Sequence, residues 1–144
     1  MKWIDIPPVW LLGFILLAYW ISTFDIIYLK IPLLDAICIF AGFAAIGAAV
    51  FEMTKHRTTV IPHREADALV RSGIFAVSRN PIYLGDVLVL IGLILYFRAP
   101  IALVLVPLFV LIIRKRFILP EEQRLAAKFG TAFDDYYAAT RRWF

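Results

Sequence analysis

Apolar and polar positions in this chain come in blocks rather than in strict alternation. Residues 9–29 (VWLLGFILLAYWISTFDIIYL) form a 21-residue apolar run with one charge, Asp25. A helix of that length crosses a bilayer core of about 30 Å. Trp3, Trp10, Trp20 and Tyr28 stand near its ends, where amphipathic rings anchor at a membrane interface. A cleaved signal peptide would carry a shorter apolar core, a more basic start and a small-x-small cleavage site, and none of these stands out. Residues 33–51 form a second run, rich in Gly and Ala. Small residues let helix backbones approach closely in a membrane, so Gly42, Ala44, Ala45, Gly47, Ala48 and Ala49 predict a helix–helix contact face. Residues 82–97 form a third run, opened by Asn80 and Pro81, a good N-cap followed by a favoured first helical residue. After a tight turn at Arg98-Ala99-Pro100, a fourth run begins at Ile101. It is predicted to stay helical through Arg114, Lys115 and Arg116 to Leu119, with a kink at Pro107.

Two polar segments interrupt the pattern. Residues 52–80 form a long connection, and loops of this length tend to be functional or disordered. The apolar residues within it (Val60, Ile61, Leu69, Val70, Ile74, Phe75, Val77) argue for order. In residues 120–144, Leu125, Phe129, Phe133 and Tyr136 or Tyr137 recur at about four-residue spacing, which predicts an amphipathic helix. Glu121 and Glu122 suit its start, Gly130 marks an interruption, and Arg141, Arg142 and Trp143 suit a membrane-surface anchor.

Composition narrows the class. The hydrophobic fraction is 62%, above the roughly 45–50% of soluble domains, and charged residues are 18% against about 25%. A soluble domain this small could not bury so much apolar surface. A soluble enzyme, a disordered chain and a disulfide scaffold are therefore excluded in favour of a membrane protein. The single cysteine, Cys38, excludes an internal disulfide and a CxxC metal site, and no metal is expected. The net charge of +4 does not point to nucleic acid, because the basic residues cluster at the ends of apolar runs, where anionic headgroups sit. Lys55, Arg57, Arg64, Arg71 and Arg79 fall in the second connection and seven more basic residues follow from Arg114, whereas the other connections hold only Lys30 and Arg98. The positive-inside rule then places both termini in the cytoplasm, with four spans. The expected fold is an all-α integral membrane protein, one domain over residues 1–144. Its four transmembrane helices fall at about 9–29, 33–51, 82–97 and 101–119, with a cytoplasmic loop and a C-terminal amphipathic helix forming the site.

Three places carry candidate chemistry. Residues 71–85 read as a polar loop ending at a capped helix N-terminus, where free N–H groups and Arg79 would suit an anion. An ordinary capped span with an interfacial Arg gives the same pattern. Glu121 and Glu122 would hold an ammonium group or ribose hydroxyls, or simply start a solvated helix. Arg114-Lys115-Arg116 would grip a phosphate or an anionic substrate, or act as a positive-inside stop. Asp86, one turn into the third run, is an ionisable group where such groups are costly and often functional.

The motifs Thr58-Thr59-Val60-x-Pro62-x-Arg64, Leu69-Val70-x-x-Gly73-x-Phe75 and Ser78-Arg79-Asn80-Pro81-x-Tyr83-Leu84-Gly85 together resemble the isoprenylcysteine carboxyl methyltransferase family. That family belongs to a wider group with the phospholipid N-methyltransferases, and this chain looks like a small, bacterial-type member. Pro120-Glu121-Glu122-x-x-Leu125-x-x-x-Phe129-Gly130, Tyr136 and Arg141-Arg142-Trp143 agree with it. The resemblance implies an integral membrane methyltransferase using S-adenosylmethionine, with the cofactor part over residues 58–144. It implies cofactor contacts at Leu69, Val70, Phe75, Asn80, Pro81, Tyr83 and Glu121, with Asp67 and Ala68 at neighbouring positions. It implies catalytic roles for Arg116 and Glu122. Asn80 stands where eukaryotic members have His, and Phe117 stands at the family's substrate-binding Arg, with Arg116 one residue earlier.

The implied reaction is methyl transfer to an amphipathic, membrane-dissolved substrate, foremost carboxyl O-methylation of an isoprenylcysteine-like compound. N-methylation of a phosphatidylethanolamine-like lipid and a non-catalytic membrane module are the alternatives. A carboxylate nucleophile is already ionised at neutral pH, whereas an amine must first lose a proton to a base such as Glu122 or Asp86.

Overall fold

A computed structural model describes residues 5–24, 27, 31–58 and 67–143. Trp3, Asp25, Tyr28, Lys30 and the motif residues 59–64 lie outside the described residues. Among the described residues the chain is helical, with no strand. The helices are α1 (Pro7–Ser22), α2 (Leu34–Lys55), α3 (Pro81–Tyr96), α4 (Leu105–Ile113), α5 (Leu119–Phe129) and α6 (Thr131–Ala139). Short 3₁₀ turns occupy Gly73–Ala76 and Pro100–Val104, and a π turn occupies Arg114–Ile118. The all-α expectation holds. Of the four expected spans, only α2 is both long and apolar enough to cross a membrane by itself, its 22 residues reaching about 33 Å. Helices α1 and α3 are apolar but have 16 residues each, and α4 has nine before the π turn.

Helices α2 and α3 form an antiparallel pair held at van der Waals distance by glycine. A Cβ on Gly42 would lie 2.7 Å from the Gly85 carbonyl oxygen, and a Cβ on Gly85 2.6 Å from the Gly42 carbonyl oxygen. A Cβ on Gly92 would lie 2.8 Å from the Asp35 carbonyl oxygen. The predicted small-residue face is therefore real, but narrower than expected. Gly42, Ala45 and Ala49 are buried in it, whereas Ala44, Gly47 and Ala48 are exposed. Helix α2 also runs one turn past Phe51, so Glu52 and Lys55 belong to the helix and not to the polar connection.

Behind α3 lies the apolar core. Phe14 and Ala18 of α1 meet Tyr83, Leu90 and Ile94 of α3 and Leu105, Phe109 and Ile113 of α4. The Phe14 and Phe109 rings meet edge to face with centroids 5.2 Å apart. Pro107 sits in the first turn of α4, where a missing N–H leaves no interior bond unmade, so the expected kink is displaced. The irregularity falls instead before Pro120. Proline lacks the N–H and its ring collides with the carbonyl four residues back, so a regular α-turn cannot run through it. The chain responds with a wider turn in which the Leu119 N–H bonds the Arg114 carbonyl, five residues back. Beyond it α5 continues, and Gly130, at φ +52°, ends α5 and starts α6. The amphipathic stretch expected over 120–144 is thus two helices, divided at Gly130 where an interruption was expected.

Candidate functional site

The site is assembled where the 67–80 segment, the start of α3, the start of α5 and the C-terminal tail converge. Each piece is fixed by side chains from another. Thr58, just past α2, is buried, and its Oγ1 accepts the backbone N–H groups of Asp67 and Ala68 at 3.0 and 3.3 Å. Five residues on, the Ser72 hydroxyl donates to Glu52 Oε2 at 2.7 Å. Leu69 is half-buried and Val70 buried between these two attachments. The 3₁₀ turn follows, and the Phe75 carbonyl accepts the Tyr136 hydroxyl of α6 at 2.7 Å.

The turn before α3 is tied to the tail. The Ser78 hydroxyl donates to the Arg142 carbonyl at 3.2 Å, the Asn80 side-chain amide to the same oxygen at 3.1 Å, and the Arg79 N–H to the Arg141 carbonyl at 3.0 Å. Asn80 occupies the N-cap position, as expected, but its side chain does not cap the helix. Pro81 presents no N–H at the first helical position, and the Arg142 carbonyl recruits the amide instead. The expected anion site at Arg79 is corrected as well. Its guanidinium donates to the Tyr137 and Thr140 carbonyls at 2.6 and 2.5 Å and lies 3.9 Å above the Tyr137 ring. Those carbonyls end α6, so the positive charge of Arg79 is already engaged by the negative end of a helix within the chain.

The last junction joins α3 to α5. The Tyr83 hydroxyl donates to Glu121 Oε2 at 3.0 Å, with the Tyr83 ring buried in the core. The next residue, Glu122, accepts from Arg142 Nε and a terminal guanidinium nitrogen at 3.0 and 2.7 Å and from Arg79 at 3.3 Å. Two forked guanidiniums therefore enclose one carboxylate, a strong charge-assisted arrangement. The hydrogen bond to Glu122 raises the Arg142 pKa further. The membrane-anchor expectation for the tail does not hold for Arg142, which turns inward, or for Trp143, which packs on the core.

The structure thus gathers most of the sequence-predicted residues. Leu69, Val70, Phe75, Asn80, Pro81, Tyr83, Glu121 and Glu122 all lie on these joined segments. Arg116 is placed differently. It is on the π turn, exposed, with Nε donating to Asp5 Oδ1 at 2.6 Å and its guanidinium 5.3 Å from the Trp10 ring centroid. Phe117, beside it, is buried in the core. Asp86 is buried one turn along α3 from Tyr83. Sequence reasoning missed Glu52, Ser72 and Gly73 as a group and the Arg142–Glu122 pair. The glycine at position 73 was the one local hint, and the structure places it at φ +58°, which Gly adopts without strain.

Glu121 with the Tyr83 hydroxyl on it, the Asn80 amide and the apolar Leu69 and Val70 thus lie on segments joined at one end of an all-helical bundle. The chain belongs to the phospholipid methyltransferase family, which it matches over residues 32–132. Members of this family are membrane methyltransferases that act on lipid-like substrates with S-adenosylmethionine as methyl donor. The match takes in α2, ahead of the motif residues, and stops before Arg142. No curated protein and no solved structure matches the chain.

Proposed function

We propose that this chain is an S-adenosylmethionine-dependent methyltransferase acting on an amphipathic substrate dissolved in the membrane, by carboxyl O-methylation of an isoprenylcysteine-like compound. The observation that carries the reading is the Tyr83–Glu121 hydrogen bond, which joins the two motifs of the sequence at one point. The residues present fit the cofactor. Glu121 supplies acceptor oxygens for hydroxyl or ammonium hydrogens, and Leu69 and Val70 supply an apolar wall for a base. When bound, the cofactor supplies a methyl group on a sulfonium whose charge is lost on transfer.

The chain's own residues then do three things. Tyr83 holds Glu121 in one orientation, and alignment of this kind accounts for much of the rate in group transfer. The 67–80 segment and the tail shield the centre from water. Glu122, enclosed by Arg79 and Arg142, acts as a positioning residue and not as a base. That favours a nucleophile already ionised at neutral pH, which a carboxylate is. Arg116, exposed beside Trp10, is assigned to a substrate headgroup at the membrane surface. The four-span arrangement is supported by the way 67–80 and 119–142 meet at one end of the bundle, which requires α3 and the α4 segment to cross and return. Cytoplasmic placement of that end follows from its basic residues.

A second reading, N-methylation of a phosphatidylethanolamine-like lipid, is favoured by Asp86, a buried carboxylate next to Tyr83 on the same face of α3. It would serve as base or ammonium partner. The test is calorimetric titration of S-adenosylmethionine and its demethylated product into the full chain in detergent and in nanodiscs, alongside Asn80→Ala and Glu121→Ala. Binding lost in folded variants is expected. Turnover of prenylcysteine against phosphatidylethanolamine then separates the readings, and Asp86→Asn abolishes the second activity only. No binding of either ligand in both settings overturns the enzyme reading.

A further inference from the structure

The contacts between α2 and the following segment do not end with α3. Asp35 lies against Gly92 and Gly42 against Gly85, and the same antiparallel register carries Glu52 to Gly73, beyond the start of α3. A Cβ on Gly73 would meet the Glu52 side chain at 2.6 to 2.8 Å. Gly73 is at φ +58°, so both the backbone conformation and the space demand glycine here. Glu52 is nearly buried, with 12% of its side chain exposed.

The hydrogen bonding is directional. Ser72 has one hydroxyl hydrogen, and it goes to Glu52 Oε2 at 2.7 Å. His56 Nε2 lies 2.9 Å from the same hydroxyl oxygen, so Nε2 carries the hydrogen and donates. It also lies 3.6 Å from Glu52 Oε2. His56, Ser72 and Glu52 form one donor chain ending on a carboxylate, an arrangement in which each bond strengthens the next. The chain is not a nucleophile–base relay. The histidine meets the serine and the carboxylate through the same ring nitrogen, whereas a relay uses opposite nitrogens.

We propose that Glu52 is a positioning residue for cofactor binding: by holding Ser72 and seating Gly73, it sets the 67–80 segment against the Tyr83–Glu121 centre. This rests on the methyltransferase reading above. The segment between the attachment of Glu52 and that of Thr58 contains Leu69 and Val70, and the segment beyond it leads to Phe75 and Asn80. Fixing that path in advance spares the cofactor the cost of ordering it on binding.

The test uses the full chain in nanodiscs, with Glu52→Ala, Glu52→Gln, Ser72→Ala and the Glu52→Ala/Ser72→Ala double variant. Two quantities are read: the Kd for S-adenosylhomocysteine, and backbone amide exchange over residues 67–80 without ligand. Each alanine variant is expected to weaken binding about tenfold, the scale of one hydrogen bond to a charged group, and to speed exchange. The double variant should be no weaker than either single one, because both remove the same link. Glu52→Gln should lose less than either alanine variant, since its side-chain carbonyl still accepts the Ser72 hydroxyl, though without the charge. Wild-type binding and exchange in both single variants, or additive loss in the double one, overturns the proposal. Ser72→Ala decides the matter if Glu52→Ala does not fold. If the wild type binds neither S-adenosylmethionine nor S-adenosylhomocysteine, the methyltransferase reading fails by itself, and the exchange arm still decides the latch.

Discussion

Tyr83 and Glu121 are 38 residues apart in the chain, and their side chains meet at 3.0 Å, hydroxyl to carboxylate. Tyr83→Phe keeps the ring in the core and deletes only the donor. We expect S-adenosylhomocysteine to bind roughly 10- to 100-fold more weakly, as for loss of one charged hydrogen bond, and the thermal midpoint to fall, since the same bond joins α3 to α5. Calorimetry on folded protein checks this, and wild-type affinity in Tyr83→Phe would remove the pair from the site.

Glu122 is expected to matter for stability before chemistry. Glu122→Ala leaves Arg79 and Arg142 facing each other without their carboxylate, an effect on the order of 3–5 kcal/mol for a buried ion pair that loses one partner. Combining it with Arg142→Ala should cost less than the two single losses added together, since the charge left behind is removed. Thermal unfolding of the four proteins in detergent measures this. A stable Glu122→Ala with altered pH dependence of turnover would return Glu122 to the role of base.

The glycine positions on α2 separate contact from composition. Gly42→Ala places a Cβ 2.7 Å from a backbone oxygen of α3, and Gly85→Val adds bulk at the facing position. Both should destabilise the chain, by about 1–3 kcal/mol or more. Gly47 has nothing within 4 Å, so Gly47→Ala should be neutral or stabilising by up to about 1 kcal/mol. Equal effects at positions 42 and 47 would contradict the observed register.

Tyr136 gives the tail an alkaline limit. Burial pushes its hydroxyl up to about 12, against an ordinary value near 10, while Arg79 pulls the other way. A raised value means the folded state favours the neutral hydroxyl. Its contribution is therefore complete below about pH 10 and is lost as the pH rises through about 12. Protease cleavage of the tail should rise over that window, and Tyr136→Phe, which cannot ionise, should abolish that step.

Local signals carried the start of α3 almost to the residue, because Asn80-Pro81 is a helix entry whatever surrounds it. The motif around it also pointed to the right family group before any geometry was known. The role of Arg79 was not legible, because it depends on where α6 ends in space, 58 residues further on. Glu52 looked like the first residue of a polar loop, because hydropathy falls there. The helix continues since one more turn lets its carboxylate meet Ser72. The π turn depends on Pro120 lying inside a helix that must keep going, and a local window reads that proline only as a start.

The seam of Gly42, Gly85 and Gly92 has a consequence for biosynthesis. Its two helices are complete once Tyr96 has been made, so a nascent chain can form this hairpin early. Glu121 and Glu122 and the tail that holds Arg79 emerge only afterwards. A chain stopped between those points would own the scaffold and half of each junction. The junctions of Tyr83 with Glu121 and of Arg79 with Glu122 therefore close second, as later helices dock on a frame already built.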